Sequence, residues 1–168
     1  FIILRPFTVV STSGNSGIMV NNYSFGYKKV NSKQKTKLVQ DVFSRVASNY
    51  DLMNDLMSLG MHRLWKQRFT QIIDIQNGDI LLDVGSGSGD IALGLIKQEI
   101  STKLYLLDLN KEMLQQGEKR LKKHKNIKFI VGNAEKLEFN NNFFDKYTIS
   151  FCLRNVTEIV ESIKEAHR

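Results

Sequence analysis

The segment Asp83-Val84-Gly85-Ser86-Gly87-Ser88-Gly89-Asp90 is the first place where residue types and spacing suggest chemistry. Glycines at alternate positions free the backbone torsions and let a ligand approach main-chain atoms that a Cβ would shield. The spacing Gly-x-Gly-x-Gly departs from the dinucleotide fingerprint Gly-x-Gly-x-x-Gly, whose third glycine would fall at position 90, where Asp90 stands. A carboxylate there repels a pyrophosphate and suits a cationic or phosphate-free ligand. Asp108 lies 19 residues beyond Gly89. It closes an apolar run, where a carboxylate can accept hydrogen bonds from both hydroxyls of a ribose. Asn133 and Ala134 follow a further apolar run. An amide side chain both donates and accepts, as the edge of an adenine requires.

A ribose, an adenine, a positive charge and no phosphate together describe S-adenosyl-L-methionine. In this reading Gly85 and Gly87 form the main-chain platform, and Asp83 helps to hold the methionyl ammonium. Each residue has a plainer alternative: a tight turn for the glycines, a helix N-cap for Asp108, an ordinary loop amide for Asn133. His62 is an imidazole, the usual proton shuttle. On a helix beside Trp65 it reads as structural first and as a base second.

The elements that must position these residues follow from periodicity. Val39, Val42, Phe43 and Val46 recur at helical spacing, and after a break near Tyr50 and Asp51 so do Leu52, Met53, Leu56 and Met57. A turn at Ser58 to Gly60 leads to a third helical stripe of Met61, Leu64, Trp65, Phe69, Ile72 and Ile73, ending near Asn77-Gly78. Met53, Met57 and Met61 form a Met-rich stripe suited to core packing or to an irregular apolar ligand. At Ile80 the pattern changes. Short apolar runs at 80–84, 104–107, 127–131 and 147–151 predict strands buried on both faces, separated by helices over 91–96 and 111–123 and followed by a last helix at Ile159, Val160 and Ile163. Alternating strands and helices predict an α/β, doubly wound, mostly parallel sheet preceded by N-terminal helices.

The chain of 168 residues is 42% hydrophobic, enough to build a core. No stretch of 18 or more apolar residues occurs, so the sequence offers no membrane-spanning candidate. Cys152 is the single cysteine, which excludes an intramolecular disulfide and is too few for a zinc-finger type of metal site. The formal charge of +7 is unevenly spread. Residues 1–40 hold Arg5, Lys28, Lys29, Lys33, Lys35 and Lys37 and no acid, whereas the other 18 basic residues face all 17 acidic ones. The basic balance therefore belongs to the N-terminal segment and does not predict a nucleic-acid groove. Residues 1–22 are Ser-containing, acid-free and aperiodic, as in a presequence or a disordered tail, with Met19 as an alternative start. The expected organisation is a tail over 1–22, a helical lid segment over 23–78 and an incomplete ligand-binding core over 79–168.

Longer segments narrow the reading. Ser24-Phe25-Gly26-Tyr27, then 42–55 (VFSRVASNYDLMND), 57–66 (MSLGMHRLWK), Asn133-Ala134-Glu135 and 149–157 (ISFCLRNVT) resemble the ubiquinone/menaquinone biosynthesis C-methyltransferase family. That family is a branch of the class I S-adenosyl-L-methionine-dependent methyltransferases, and the resemblance covers residues 24–168. Gly117-Glu118-Lys119-Arg120 and Glu165-Ala166-His167-Arg168 look more like its mitochondrial than its bacterial branch. The resemblance implies cofactor positions at Ser88, Asp108, Asn133, Ala134 and Ser150. It implies ring C-methylation of a polyprenylated methoxy-benzoquinol, with demethylmenaquinol or another substrate of the same fold as the alternative.

Within that chemistry Arg154 would stabilise a phenolate and Asn155 would orient a ring oxygen. A lipid-tailed substrate implies peripheral contact with the matrix side of the inner mitochondrial membrane, or a bacterial cytoplasmic setting, and a complex with other ubiquinone-pathway enzymes. No nucleic acid is expected, and a homodimer stays open. Two departures stand out: the loop reads Gly-Ser-Gly-Ser-Gly, and Cys152 takes the place of a usual glycine beside Ser150. Relatives also continue through a Lys-Pro-Gly-Gly turn into three more strands, so the last strands of the sheet are expected to be absent here. A nicotinamide-binding dehydrogenase and a non-catalytic binding protein remain as rivals.

Overall fold

A computed structural model describes residues 23–25, 28–98 and 101–168. The presequence reading and the alternative start at Met19 lie outside the described residues. The first described elements are two short strands: Tyr23–Phe25 (β1) pairs antiparallel with Lys28–Val30 (β2), Tyr23 opposite Val30. This pair precedes the first helix of the segment expected to be a helical lid, and the sequence reading assigned no strand there. Strands of three residues are too short for a two-residue period to register in sequence.

Helix α1, Ser32–Val46, begins seven residues before the first residue of its apolar stripe, Val39. Its start is set by a capping box: the Asn31 side chain accepts from the Gln34 N–H at 2.9 Å, and the Gln34 side chain accepts from the Asn31 N–H at 3.1 Å. A 3-10 turn, Ala47–Asn49, makes the expected break, and α2 (Tyr50–Ser58) follows. Leu59 and Gly60 both take left-handed torsions before α3, Met61–Ile72.

Four strands form the main sheet: Ile80–Val84 (β3), Lys103–Asp108 (β4), Ile127–Val131 (β5) and Lys146–Ile149 (β6). Their order is β5-β4-β3-β6 and every pairing is parallel. Asp90–Ile96 (α4) and Lys111–Leu121 (α5) connect β3 to β4 and β4 to β5, and Ile159–His167 (α6) follows β6. The winding reverses at β3, with β4 on one side and β6 on the other. That reversal opens a crevice at the carboxyl ends of β3 and β6, where open α/β sheets bind ligands. The fourth strand is shorter than expected. It ends at Ile149, and Phe151 has φ 58°, which no strand can hold.

Strand alternation sorts the core into two layers. Leu81, Leu104 and Leu106 pack with Phe69, Ile73, Ile91, Leu95, Leu114 and Leu121 on the face covered by α3, α4 and α5. Leu82, Val84, Tyr105 and Leu107 pack with Ala134, Leu137, Ile149 and Val156 on the other. The N-terminal stripes are only partly buried. Phe69 and Ile73 enter the core, whereas Val42, Leu52, Leu56, Met57, Met61, Leu64, Trp65 and Ile72 are exposed.

Helices α3 and α4 pack closely at Gly94, where an added Cβ would lie 2.7 Å from the Cγ2 of the buried Thr70. Alanine gains about 1 kcal/mol of helix propensity over glycine, but overpacking a tight core costs about 1–3 kcal/mol. Gly94→Ala is therefore expected to destabilise in urea denaturation. Adding Thr70→Ser, which keeps the hydroxyl bond to the Gln67 carbonyl at 2.8 Å and removes the methyl, should restore stability. A second substitution that restores nothing would mean that the helices are not in contact there.

Candidate functional site

A cleft lies over the carboxyl ends of β3, β4 and β6. Its floor is Val84, Gly85, Gly87, Leu107 and Asp108; its walls include Asn133, Ala134, Ser150 and Asn155. The glycine loop fits between two close neighbours. A Cβ at Gly85 would overlap the Cys152 side chain, and one at Gly87 would stand 3.2 Å from the Met113 Cε. Gly85, Gly87 and Gly89 all have positive φ, so both backbone conformation and space demand glycine.

Asp108 organises this floor. Its Oδ2 accepts from the Gly87 N–H at 2.8 Å and its Oδ1 from the Asn110 N–H at 2.9 Å. Burial pushes its carboxyl above the usual range, and the backbone N–H groups work against that push. Each oxygen keeps a further lone pair that can face the cleft. Asn110 in turn caps α5, accepting from the Met113 N–H at 2.9 Å, and donates to the Gln40 carbonyl and the Ser44 hydroxyl of α1. Lys35 of α1 donates to the Val156 carbonyl at 2.8 Å, and Thr36 and Thr157 share a 3.1 Å hydroxyl contact. Helix α1 thus crosses the cleft as a roof, placing Thr36, Val39, Gln40 and Phe43 in its lining.

Seven of the ten predicted site residues line this one cleft: Gly85, Gly87, Asp108, Asn133, Ala134, Ser150 and Asn155. Three do not, each for a local reason. Asp83 is 1% exposed. Strand alternation sends Leu82 and Val84 to the cleft side and Asp83 to the opposite one, so it does not contact a ligand in the cleft directly. Ser88 is buried under the loop, with its backbone against Gly117 of α5. Arg154 is exposed and outside the lining, because neighbours on the 3-10 turn Leu153–Asn155 point about 120° apart and Asn155 takes the inward position.

Asn133 holds its carbonyl in a local turn, accepting from the Glu135 N–H at 3.0 Å, which leaves its amide hydrogens for another partner. Glu135 lines the cleft and accepts from the Thr157 and Glu158 N–H groups at 2.8 and 3.1 Å. Asp90 does not face a ligand. It is gripped by Lys66 and Arg120; burial opposes its ionisation, but the two cations hold its carboxyl below the usual range. His62 lies outside the cleft, with its Nε2 2.8 Å from Asp55. Hydrogen bonds from Arg63 and His62 hold the Asp55 carboxyl well below its ordinary value.

The roof residues, Met113 and Phe151 were not identified as site residues from the sequence. Thr36, Val39, Gln40 and Phe43 do share a helical spacing, but two of the four are polar and do not mark an apolar stripe.

The lining is chemically lopsided. It contains two carboxylates, Asp108 and Glu135, and no Lys, Arg or His among the described residues. The Ser150 Oγ is buried with no hydrogen-bond partner among the described residues, so it is available to a ligand. This set suits a cation-bearing nucleoside and disfavours a pyrophosphate.

The family model for the ubiE/COQ5 methyltransferase family matches residues 28–168. The chain belongs to the ubiE/COQ5 methyltransferase family. It is 52% identical over 154 residues to the ubiquinone/menaquinone biosynthesis C-methyltransferase UbiE of Rickettsia prowazekii (strain Madrid E), a match that covers 88% of this chain and 62% of that protein. The protein of the same name from Rickettsia bellii (strain OSU 85-389) is 51% identical over 156 residues, with 89% and 62% covered. The chain thus spans about 62% of the length of these relatives.

Among solved structures, Haemonchus contortus phosphoethanolamine N-methyltransferase 1, in complex with phosphoethanolamine and S-adenosylhomocysteine, superposes with TM-score 0.65 at 16% identity, covering 82% of this chain and 29% of that one. A SAM-dependent methyltransferase from Aquifex aeolicus gives 0.54 at 21% identity, covering 61% and 56%. At these identities the likeness is one of fold, and it agrees with the doubly wound α/β sheet expected of this family member.

Asp83 supplies a test of the floor. Its Oδ1 accepts from the Thr148 hydroxyl at 2.8 Å, its Oδ2 has no partner among the described residues, and burial raises its pKa from 3.8 to about 7. Folded protein therefore binds a proton that unfolded protein has released between those values, and stability falls as pH rises through that window. Asp83→Asn, which cannot ionise, should gain about 1–3 kcal/mol relative to the native chain between pH 4 and pH 8. Urea denaturation across that range checks it. A stability difference independent of pH would mean that Asp83 is solvated or paired in solution.

Proposed function

We propose that the protein methylates a ring carbon of a polyprenylated methoxy-benzoquinol, using S-adenosyl-L-methionine, in ubiquinone biosynthesis. The observation that carries the cofactor half is the cleft lining: glycine main chain, two carboxylates and no cationic side chain, at the switch point of the sheet. Family membership and the two Rickettsia proteins named for ubiquinone/menaquinone biosynthesis support the substrate half. Demethylmenaquinol is the second reading, favoured by the double name of those relatives.

Bound S-adenosyl-L-methionine supplies a methyl group already activated by its sulfonium. The remaining work falls to positioning, which can lower a barrier by several kcal/mol. Asp108 accepts from the ribose hydroxyls through the lone pairs not used by Gly87 and Asn110. The Asn133 amide and the Ala134 wall hold the adenine, and Gly85 and Gly87 let the ligand rest on main chain. Ser88 and Asp83 support the loop from beneath, and the Ser150 hydroxyl donates from the side. Asn155 orients a ring oxygen of the quinol. Arg154, one residue away and exposed, serves at the cleft mouth as the cation that stabilises the phenolate; an arginine keeps its charge and so does not take the proton itself.

The substrate's lipid tail places the protein at a membrane surface, and the described residues include no helix long and apolar enough to cross one. The matrix face of the inner mitochondrial membrane, beside other enzymes of the pathway, is the setting proposed. The acid-free, basic first 40 residues support it, and the cytoplasmic face of a bacterial membrane is the setting of the second reading.

Calorimetry with S-adenosyl-L-methionine, S-adenosylhomocysteine and NAD tests the cofactor. Both sulfur compounds should bind and NAD should not. Asp108→Ala should lose at least about tenfold in affinity, since hydrogen bonds to a charged acceptor are worth about 1.5–3 kcal/mol each. Binding of NAD alone would overturn the reading. Arg154→Lys should leave cofactor affinity unchanged and remove most turnover of the quinol; unchanged turnover would take Arg154 out of the chemistry.

A further inference from the structure

The outer face of α2 and α3 is apolar where a solvated surface would be polar. On α2 and its C-cap, Leu52, Leu56 and Leu59 share one helical side, and they are 70%, 77% and 90% exposed. On α3, Met61, Leu64, Trp65 and Ile72 recur at helical spacing on the flank beside the one that buries His62, Phe69 and Ile73. Leu59 is the most telling of these. Its φ of 49° is a left-handed conformation that favours Gly or Asn. Neither the backbone nor burial within this chain calls for leucine there.

Two neighbouring features say what covers this face. Arg68 stands exposed within the α3 stripe. The flank of α3 that faces α4 borders a groove with Arg63, Lys66, Lys97 and Arg120 on its walls; Asp55 holds Arg63 and Asp90 holds both Lys66 and Arg120, so with Arg68 five cations stand against these two carboxylates. An apolar ridge beside an excess of cations matches a bilayer with anionic headgroups. The ridge also reaches the active cleft: Trp65 stacks on Phe151, ring centroids 6.4 Å apart, and Phe151 lines the cleft.

We propose that the outer face of α2 and α3, led by Leu56, Leu59, Leu64 and Trp65, seats the protein on an anionic lipid bilayer. The ridge enters the acyl boundary, and the groove beside α3 takes headgroup phosphates. The proposal rests on the reading of a lipid-tailed substrate. It adds the surface used and the orientation, with the cleft mouth at Phe151 turned to the bilayer so that a tail can stay in lipid while its ring enters.

Vesicle flotation with phosphatidylcholine, with and without phosphatidylglycerol, tests it on the full chain. The native chain should float with phosphatidylglycerol-containing vesicles, less so as salt is raised. Leu56→Ser with Leu59→Asn should weaken this at least about tenfold, since each leucine side chain contributes more than a kcal/mol of transfer. Asn suits the torsions of position 59, so the thermal midpoint should stay level or rise. Arg68→Gln with Lys97→Gln should weaken binding to the anionic vesicles by about fivefold per cation removed.

Undiminished flotation of the leucine variant would overturn the proposal, as would a native chain that floats with neither vesicle. A native dimer in sedimentation that the leucine substitutions split would overturn it too, and would assign the face to a second copy. Calorimetry of S-adenosyl-L-methionine on the same samples separates the two readings. Lost flotation with cofactor binding intact sinks only the docking face, and intact flotation without cofactor binding sinks only the enzymatic reading.

Discussion

One carboxylate holds the site together. Asp108 accepts from the Gly87 N–H with one oxygen and from the Asn110 N–H with the other. The first bond fixes the glycine loop after β3 to the end of β4. The second fixes the residue that caps α5 and, through its amide, grips α1 at Gln40 and Ser44. Floor, helix start and roof therefore meet on a single buried anion. Charge-assisted bonds of this kind are about twice as strong as neutral ones. A buried carboxylate left without such donors is penalised by more than it would gain, so the group both needs this geometry and enforces it.

The two faces of the sheet divide the remaining work. The side with α3, α4 and α5 carries the aliphatic layer, and its buried charge is neutralised locally: Asp90 lies between Lys66 and Arg120. Among the described residues the cleft lining holds no Lys, Arg or His. With Lys66 and Arg120 held on Asp90 behind the loop, the charge of Asp108 is met on its inner side by backbone N–H groups and by no cationic side chain of the lining. A cationic ligand is favoured by that asymmetry, although the chain as a whole is basic. Net charge is thus a poor guide to the sign of this site.

The parts legible in sequence were those governed by short-range rules. The order of β3 to β6 follows from apolar runs bounded by turns, and the common place of Gly85, Gly87 and Asp108 on the cleft floor follows from spacing. What escaped depends on directions that spacing does not carry. Asp83 and Val84 are neighbours, yet the pleat sends one away from the cleft and the other into it. Arg154 and Asn155 diverge in the same way on a 3-10 turn. Val42 fits the apolar stripe of α1 as well as Phe43 does, but α1 lies across strand ends and not along a core, so only the side with Val39 and Phe43 is covered. The pair of β1 and β2 is three residues deep and leaves no period to read.

The loop after β6 joins the outer helices to the glycine loop. Phe151 takes a left-handed torsion that costs a bulky side chain about 1–2 kcal/mol. In return, consecutive side chains serve opposite partners: Phe151 meets Trp65 of α3, while Cys152 turns inward against Gly85. Burial pushes the Cys152 thiol up to about 12, so it acts there as a small neutral packing group. No Cβ can be accommodated at position 85 while that thiol is in place. Phe151 and Cys152 thus link α3 and the glycine loop across one peptide unit, and the loop is fixed from its other side by Asp108. The strained torsion falls at the point where the chain must serve both neighbours at once.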